Sequence, residues 1–394
     1  MVVAEAPAQL PISPLLLRQA RQRANLDLAE AAQRVSKLLK RERDEPVREE
    51  ELRSWEQGDR QPSLAEAEAL ARAYFIPFVV LFDRELPPAN ITDFRRGPGG
   101  RRTPLSYETL EKMNRFAARL YLLAKRISAE LGITEVVSVP VARLEDFRSA
   151  EDIEALAASV RSQLGVSDDE QISWRGDAEA FNAWRNSVEG TGVFVFSLSM
   201  SVLECRGASI WEAAGPPAVL VNSSDSATAQ LFTLMHEFAH LMFSGREQNL
   251  TLCDPSGLTE AGEEWAANRF ASAVLMPRSL VQGLVTRPVP STFSQWPVSM
   301  KQHLRRSLNV SQAAIAIRLV ELGIIGDAGR QTFWRRPGRP KVKNRPVWQR
   351  YRRYIGERAV GLVRQAVAAD LVSPTDLSRI LDVKVKDIEA MLEH

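Results

Sequence analysis

The residues of this chain whose types and spacing could do chemistry are two histidines with a glutamate beside them. His236 and His240 are four residues apart, and Glu237 directly follows the first of them. On a helix this spacing places both imidazoles on one face, where they can bind a single zinc ion at about 2 Å. Glu237 then lies beside the ligands and can accept a proton from water at the metal. The pattern predicts a zinc-dependent hydrolase; the alternative is a pair of core histidines bonded to backbone carbonyls.

The third metal ligand has to come from another part of the chain. In one class of zinc peptidase it is a histidine six residues after the second one, but that position holds Arg246. A carboxylate on a later helix is therefore favoured, and Glu264 begins a helical face that continues with small residues and Asn268. We expect Glu264 to bind the metal and Asn268 to hydrogen-bond one of the ligands.

Several alternatives remain open at this site. Glu260 and Glu263 are the nearest rivals for the third ligand. A site closed by a fourth protein ligand would be structural or sensory, because an enzyme keeps one position open for water. The residues that could close it are Cys205, Cys253 and Asp254. The ligand set also accepts manganese or another divalent ion in place of zinc.

The elements that must position these residues are predicted to be mostly helical. Residues 227–243 contain no helix breaker and follow the capping serines at 224 and 226. Residues 263–277 form a second helical segment, and 192–196 and 218–221 are short apolar runs typical of strands. The fold class predicted is α-rich α+β.

Length, composition and charge limit the class of protein. A chain of 394 residues is expected to form two or three domains. Its apolar runs are shorter than a membrane-spanning helix requires, and its first residues lack a secretory signal pattern. Two cysteines cannot form a disulfide framework, which favours the cytoplasm, and a net charge of +2 gives no overall attraction to nucleic acid.

We predict four regions along the chain. Residues 13–87 form a helical unit, and 88–150 form a linker rich in glycine and proline followed by a long amphipathic helix over 105–131. Residues 151–328 contain the zinc motif and both predicted strands. Residues 329–394 begin with a basic connector, 330–353, and end in helices, one of them capped at Ser373.

The region around the zinc motif resembles the ImmA/IrrE family of metallopeptidases. The resemblance is carried by WRNSVEGTGVFVF at 184–196, PPAVLVN at 216–222, QLFTLMHEFAHLMF at 230–243 and EEWAANRFASAVLMP at 263–277, over roughly 171–322. It implies a zincin-like domain in which His236, His240 and Glu264 bind the metal and Glu237 is the base. It also implies a protein substrate, a partner transcriptional repressor cleaved in stress response or in the control of mobile elements.

The N-terminal unit resembles a repressor-type (XRE-like) helix-turn-helix over 17–83. Its most specific element is WEQGDRQPS at 55–63, in which Gly58 ends one helix and Ser63 caps the next. Two departures argue against DNA binding: about ten inserted residues near 36–46, and an acidic start to the helix that would enter the major groove, at Glu49 to Glu51. The unit therefore either binds DNA or docks a protein, which could be the repressor substrate or a second copy in a homodimer.

The basic connector is a further candidate for nucleic-acid contact. Its cations are interleaved with Trp334, Trp348, Tyr351 and Tyr354, an arrangement suited to backbone contact and base stacking. The alternative is a plain solvated linker. The cations proposed for contact are Arg335, Arg336, Arg339, Lys341 and Lys343.

Taken with the resemblance, the sequence predicts a zinc-dependent endopeptidase that cleaves a regulatory protein. Glu237 favours an enzyme, because a purely structural metal site does not need a base. The alternatives are a DNA- or protein-binding transcriptional regulator with a structural or sensory metal, and one component of a toxin–antitoxin pair.

Overall fold

The computed structural model is a helix-rich α+β protein. It describes residues 12–24, 26–39, 45–74, 137–143, 149–202, 205–211, 216–244, 248–252, 262–286, 288–326, 346–381 and 383–393, together with 76, 81, 95–96, 102–103, 109, 112–113 and 127. Most of the helix predicted at 105–131, the connector up to residue 345 with its five candidate cations, Cys253, Asp254 and Glu260 lie outside the described residues.

The helices and strands are as follows in chain order. The first helices are α1 (Pro14–Arg23), α2 (Leu28–Leu39), α3 (Glu49–Gln57) and α4 (Leu64–Ala73), followed by the paired strands β1 (Arg95–Arg96) and β2 (Arg102–Thr103). The central elements are α5 (Ala150–Gln163), α6 (Asp168–Ser173), α7 (Asp177–Gly190), β3 (Phe194–Leu198), β4 (Gly207–Trp211), β5 (Ala218–Asn222), α8 (Ala227–Ser244), β6 (Gln248–Leu252), α9 (Glu263–Leu275), α10 (Arg278–Leu284), α11 (Val298–Leu308) and α12 (Gln312–Glu321). The last helices are α13 (Val347–Ile355), α14 (Glu357–Ala368), α15 (Pro374–Leu381) and α16 (Val385–Glu393).

Helices α1 to α4 pack around a hydrophobic cluster of their own, with Leu52 and Trp55 at its centre. The predicted helix end is confirmed, because Gly58 adopts the left-handed conformation at φ 83°. The predicted cap at Ser63 is confirmed as a full capping box, since its hydroxyl accepts from the backbone of Glu66 and the Glu66 carboxylate accepts in return.

The larger sheet of the described chain has the strand order β3-β5-β4-β6. Strand β3 runs parallel to β5, and β4 runs antiparallel to both β5 and β6. The two predicted strands are thus confirmed, and β4 and β6 are additional. Both faces of the sheet are covered: Val195 and Val219 contact the central helices, while Phe194 and Leu220 contact the C-terminal ones. Covering on both faces explains why the sequences of β3 and β5 are largely apolar.

The C-terminal helices pack directly on one face of this sheet. Val347 to Arg353, predicted as part of an exposed connector, are helical instead, and this part of the prediction was wrong. The aromatic residues Trp348 and Tyr351 recur at helical spacing and pack against the cluster that contains Phe194 and Phe196. These aromatic groups therefore cover the sheet rather than stand exposed among the cations.

A buried ion pair joins these helices to the sheet. The Arg185 guanidinium on α7 bonds Glu189, donates to the backbone oxygen of Arg353 at 2.6 Å, and donates to that of Val195 in β3. The Glu189 carboxylate also accepts from the backbone N–H of Arg358 at 3.1 Å. Because both charges are buried and bonded on several sides, they fix one arrangement of α7, β3 and the start of α14.

Helices α8 and α9 form the centre of the domain. Helix α8 is apolar on nearly all sides, so it lies inside the protein, and the Ser226 hydroxyl caps it by accepting from the Ala229 N–H at 3.3 Å. Helix α9 packs on it through Ala267 and Ala271, which are completely buried. The small side chains let the two helix backbones approach closely, as the sequence predicts.

The C-terminal end of α9 is held by three side chains from other helices. Arg161 of α5 donates to the carbonyl of Val274 at 2.8 Å, Gln171 of α6 to Leu275 at 2.9 Å, and Arg318 of α12 to Met276 at 2.8 Å. Carbonyls at a helix end lack partners within the helix, and cationic donors suit the negative end of its dipole. These bonds set where α9 lies along α8.

No helix in the described ranges has the length and apolar character needed to cross a membrane.

Candidate metal centre

The two histidines of α8 direct the same ring nitrogen, Nε2, towards one point. Their Nε2 atoms are 3.1 Å apart, and both side chains are buried. The rings meet edge to face with centroids 4.8 Å apart. Spacing of one helical turn produces this convergence because residues i and i+4 lie on the same face.

Glu264 completes the group from the first turn of α9. Its two carboxylate oxygens lie 3.3 Å from Nε2 of His236 and 3.4 Å from Nε2 of His240. The three candidate ligand atoms lie within 4.8 Å of one another. The Glu264 side chain is 26% exposed, so solvent reaches the cluster from its side. Two imidazole nitrogens and one carboxylate oxygen are a donor set suited to zinc that leaves a further coordination position open.

Glu237 lies beside this cluster and is completely buried. Neither of its carboxylate oxygens has a hydrogen-bond partner, and the same holds for Nδ1 of His236. An unpaired buried carboxylate is costly unless a positive charge compensates it. A cation held by the three converging donors would supply that charge, so the residues present fit a divalent metal.

The charges of the cluster are set by burial and by the imidazoles. Burial raises the pKa of Glu237, against the opposing effect of His240 and His236. Burial also acts to raise the pKa of Glu264, but hydrogen bonds with His236 and His240 hold it well below its usual range. Burial lowers the pKa of His240, yet its hydrogen bonds to Glu263 and Glu264 raise it to about 10. These hydrogen bonds favour a proton on His240, and a divalent cation at the cluster would take the place of that proton.

Strand β4 forms the wall behind Glu237, which the sequence did not predict. Gly207 lies so close that a Cβ there would be 3.0 Å from both Cγ and Oε1 of Glu237 and 2.4 Å from Cγ2 of Thr233. The Ser209 hydroxyl on the same face is near enough to lower the pKa of Glu237, but neither group completes a hydrogen bond of normal geometry. The sequence does not indicate that these residues lie in a buried strand, because three of the five residues of β4 are small or polar.

Gly207→Ala is expected to destabilise the protein by about 1–3 kcal/mol, because the added methyl group overfills a packed site. It should also displace Glu237 and lower cleavage while bound zinc stays unchanged. Urea denaturation measures the stability, zinc analysis measures the bound metal, and comparison of new protein N-termini in expressing cells measures the cleavage. Gly190→Ala is the matched control, since a Cβ at this exposed position meets no atom within 4 Å. Equal stability of the two variants would show that the Gly207 contact is easily relieved.

The remaining predicted site residues are placed as follows. Asn268 lies one turn beyond Glu264 on α9 and is partly buried, and its proposed bond to a ligand stays a prediction. Glu263, weighed as a rival ligand, is bonded to Nδ1 of His240 at 2.6 Å, on the far side of the ring from the cluster. The Cys205 thiol donates to the backbone oxygen of Gly207 and is outside the group of candidate ligands.

Comparison with known families bears on this centre. Residues 188–320 match the model of the IrrE N-terminal-like domain, a family of peptidases. The matched segment is about a third of the chain, and it runs from the end of α7 through nearly all of α12, so it contains every candidate ligand and Glu237. The match supports the resemblance to the ImmA/IrrE family. A search of curated proteins found no match.

Proposed function

We propose that this protein is a zinc-dependent endopeptidase that cleaves a regulatory protein. The observation that carries the proposal is the convergence of His236, His240 and Glu264, with Glu237 beside them, inside the segment that matches a peptidase family. Zinc is the metal we propose, and manganese or another divalent ion fits the same donors.

His236, His240 and Glu264 would hold the ion, which would supply Lewis acidity and make water easier to deprotonate. Glu237 is the general base. It accepts a proton from the attacking water and passes it to the nitrogen of the leaving amine. The wall formed by Gly207 of β4 keeps the Glu237 carboxylate in place during this transfer.

The substrate we propose is a partner transcriptional repressor in the cytoplasm, cleaved in stress response or mobile-element control. Support comes from the resemblance to the ImmA/IrrE family. The N-terminal helical unit would then dock the substrate or a second copy of the chain. Its helix α3 exposes Glu49 and Glu50, which suit a basic protein surface better than the phosphates of DNA.

The second candidate is a transcriptional regulator that binds DNA, or one component of a toxin–antitoxin pair, with a structural or sensory metal. The compact helical unit with its own core favours it. Binding to genomic DNA fragments at low and at high salt distinguishes DNA contact from protein docking, because contacts with phosphates weaken steeply with salt.

The Glu237→Gln variant tests the enzymatic proposal. It is expected to keep its zinc and to lose cleavage by about 10²–10⁴-fold, because the amide cannot accept the proton. New protein N-termini are compared in cells that express the wild-type chain and cells that express the variant, with and without stress. A cleavage product found only with the wild type identifies the substrate. Identical N-termini in both cell types would argue for the binding regulator.

A further inference from the structure

Two consecutive carboxylates bracket one imidazole of the candidate metal centre. Oε1 of Glu263 lies 2.6 Å from Nδ1 of His240, and Oε1 of Glu264 lies 3.4 Å from Nε2 of the same ring. The His240 ring is 1% exposed, while the Glu263 side chain is 38% exposed. Glu263 therefore reaches from the surface to a nitrogen of a buried ring.

This contact fixes which nitrogen of His240 can bind a cation. A carboxylate accepts hydrogen bonds only, so Nδ1 must carry the proton that it donates to Glu263. The lone pair of the neutral ring is then on Nε2, which faces His236 and Glu264. The same bond also holds the ring plane in the orientation that directs this lone pair at the cluster.

The two ligand histidines are not equivalent in this respect. Nδ1 of His236 is buried without a hydrogen-bond partner, so no bond at that nitrogen orients the ring. Nδ1 of His240, in contrast, has the Glu263 carboxylate as a hydrogen-bond acceptor at 2.6 Å. A glutamate in the first turn of a helix is commonly a solvated charge that benefits from the helix dipole. That ordinary role does not require one of its oxygens at 2.6 Å from a buried nitrogen.

We propose that Glu263 is a positioning residue, which orients His240 and fixes its tautomer so that the centre binds its metal tightly. The proposal rests on the metal centre of the proposed function. Glu263 is not itself a ligand, since it contacts the nitrogen that faces away from the cluster. Glu263 and Glu264 thus divide two tasks between them: Glu264 binds the ion, and Glu263 holds the imidazole that binds it.

The test measures zinc affinity of the full-length chain by competition with a chromogenic chelator at constant pH. Glu263→Ala is expected to bind zinc about 10–100-fold more weakly, the range found when such supporting partners are removed. Glu263→Gln should lose less, because its amide oxygen still accepts from Nδ1 without the charge. Glu151→Ala is the matched control, since Glu151 is an exposed glutamate in the first turn of α5. It should bind zinc as the wild type does.

A spectroscopic signature distinguishes positioning from a general loss of structure. Nuclear magnetic resonance of the zinc-loaded wild type should show a protected Nδ1 proton from His240, and Glu263→Ala should lose this protection with its circular dichroism unchanged. Wild-type zinc affinity in Glu263→Ala, alongside weak binding in Glu264→Ala, would overturn the positioning role and leave the metal centre intact. Wild-type affinity in Glu264→Ala and His240→Ala as well would overturn the metal centre itself.

Discussion

Replacing Glu264 by alanine is expected to prevent the purified protein from retaining zinc and to abolish the proposed cleavage activity. The carboxylate is the one negatively charged member of the three converging donors, and its pKa is held well below the usual range, so it is ionised when an ion binds. Without it, two imidazoles on one helix remain, and the structural minimum of three protein ligands for a zinc enzyme is lost. The loss in affinity should exceed the roughly 10–100-fold expected for a supporting residue.

Zinc content after dialysis, measured by mass spectrometry, checks this expectation. Glu237→Gln provides one control, because it changes a charge next to the same histidines and should retain zinc. Glu151→Ala provides a second, because it removes a first-turn glutamate from a helix remote in sequence. Full retention of zinc by Glu264→Ala would assign the third ligand to another residue.

Replacing Arg318 by methionine is expected to cost about 3–5 kcal/mol of unfolding free energy, the range for breaking a buried ion pair from one side. The Arg318 side chain is 0% exposed and forms ion pairs with Glu154 of α5 and Glu321 of its own helix. It also donates to the carbonyl of Met276 at the end of α9. Methionine would fill much of the volume, but Glu154 and the Met276 carbonyl would lose the Arg318 donor, and Glu321 would keep only its bond from the Ser272 hydroxyl.

Urea denaturation of the wild type and the variant measures this loss. Arg305→Met is the matched control, because Arg305 also forms a two-point ion pair, with Asp177, but its side chain is 29% exposed and that of Asp177 is 33% exposed. Exposed pairs contribute only about 0–1 kcal/mol. Adding Glu154→Gln to Arg318→Met should recover part of the lost unfolding free energy, since it removes a carboxylate charge that Arg318 no longer neutralises. Similar midpoints for the two arginine variants would show that the buried network does not stabilise the fold.

The C-terminal helices determine which form of the chain is suitable for experiments on the region that matches the peptidase family. They cover the sheet face formed by Phe194, Phe196 and Leu220, and the Arg185–Glu189 pair bonds their backbone. A chain cut before residue 346 would expose this apolar face. It would also deprive Arg185 and Glu189 of their backbone partners at Arg353 and Arg358. Experiments on the metal centre therefore require the full chain, although the family match ends at residue 320.

The sequence by itself determined the features that depend on neighbours along the chain. The pairing of His236 with His240 follows from the helical repeat, and the boundaries at Gly58 and Ser63 follow from their conformational preferences. The strands at 194–198 and 218–222 were predictable because they are short apolar runs. Glu264 was placed near the histidines because small residues on the same helix face permit close packing.

Only the tertiary structure decided what depends on how separate elements lie against one another. Glu263 and Glu264 are adjacent and identical in type, and the position of α9 along α8 determines which nitrogen of His240 each one reaches. That position is set by side chains from three other helices. No local pattern in the sequence indicates that these side chains bond the end of α9. Strand β4, helix α13 and the packing of the C-terminal helices on the sheet were missed for the same reason. Their places depend on free energy gained by burial between distant segments, and no short stretch of sequence contains that information.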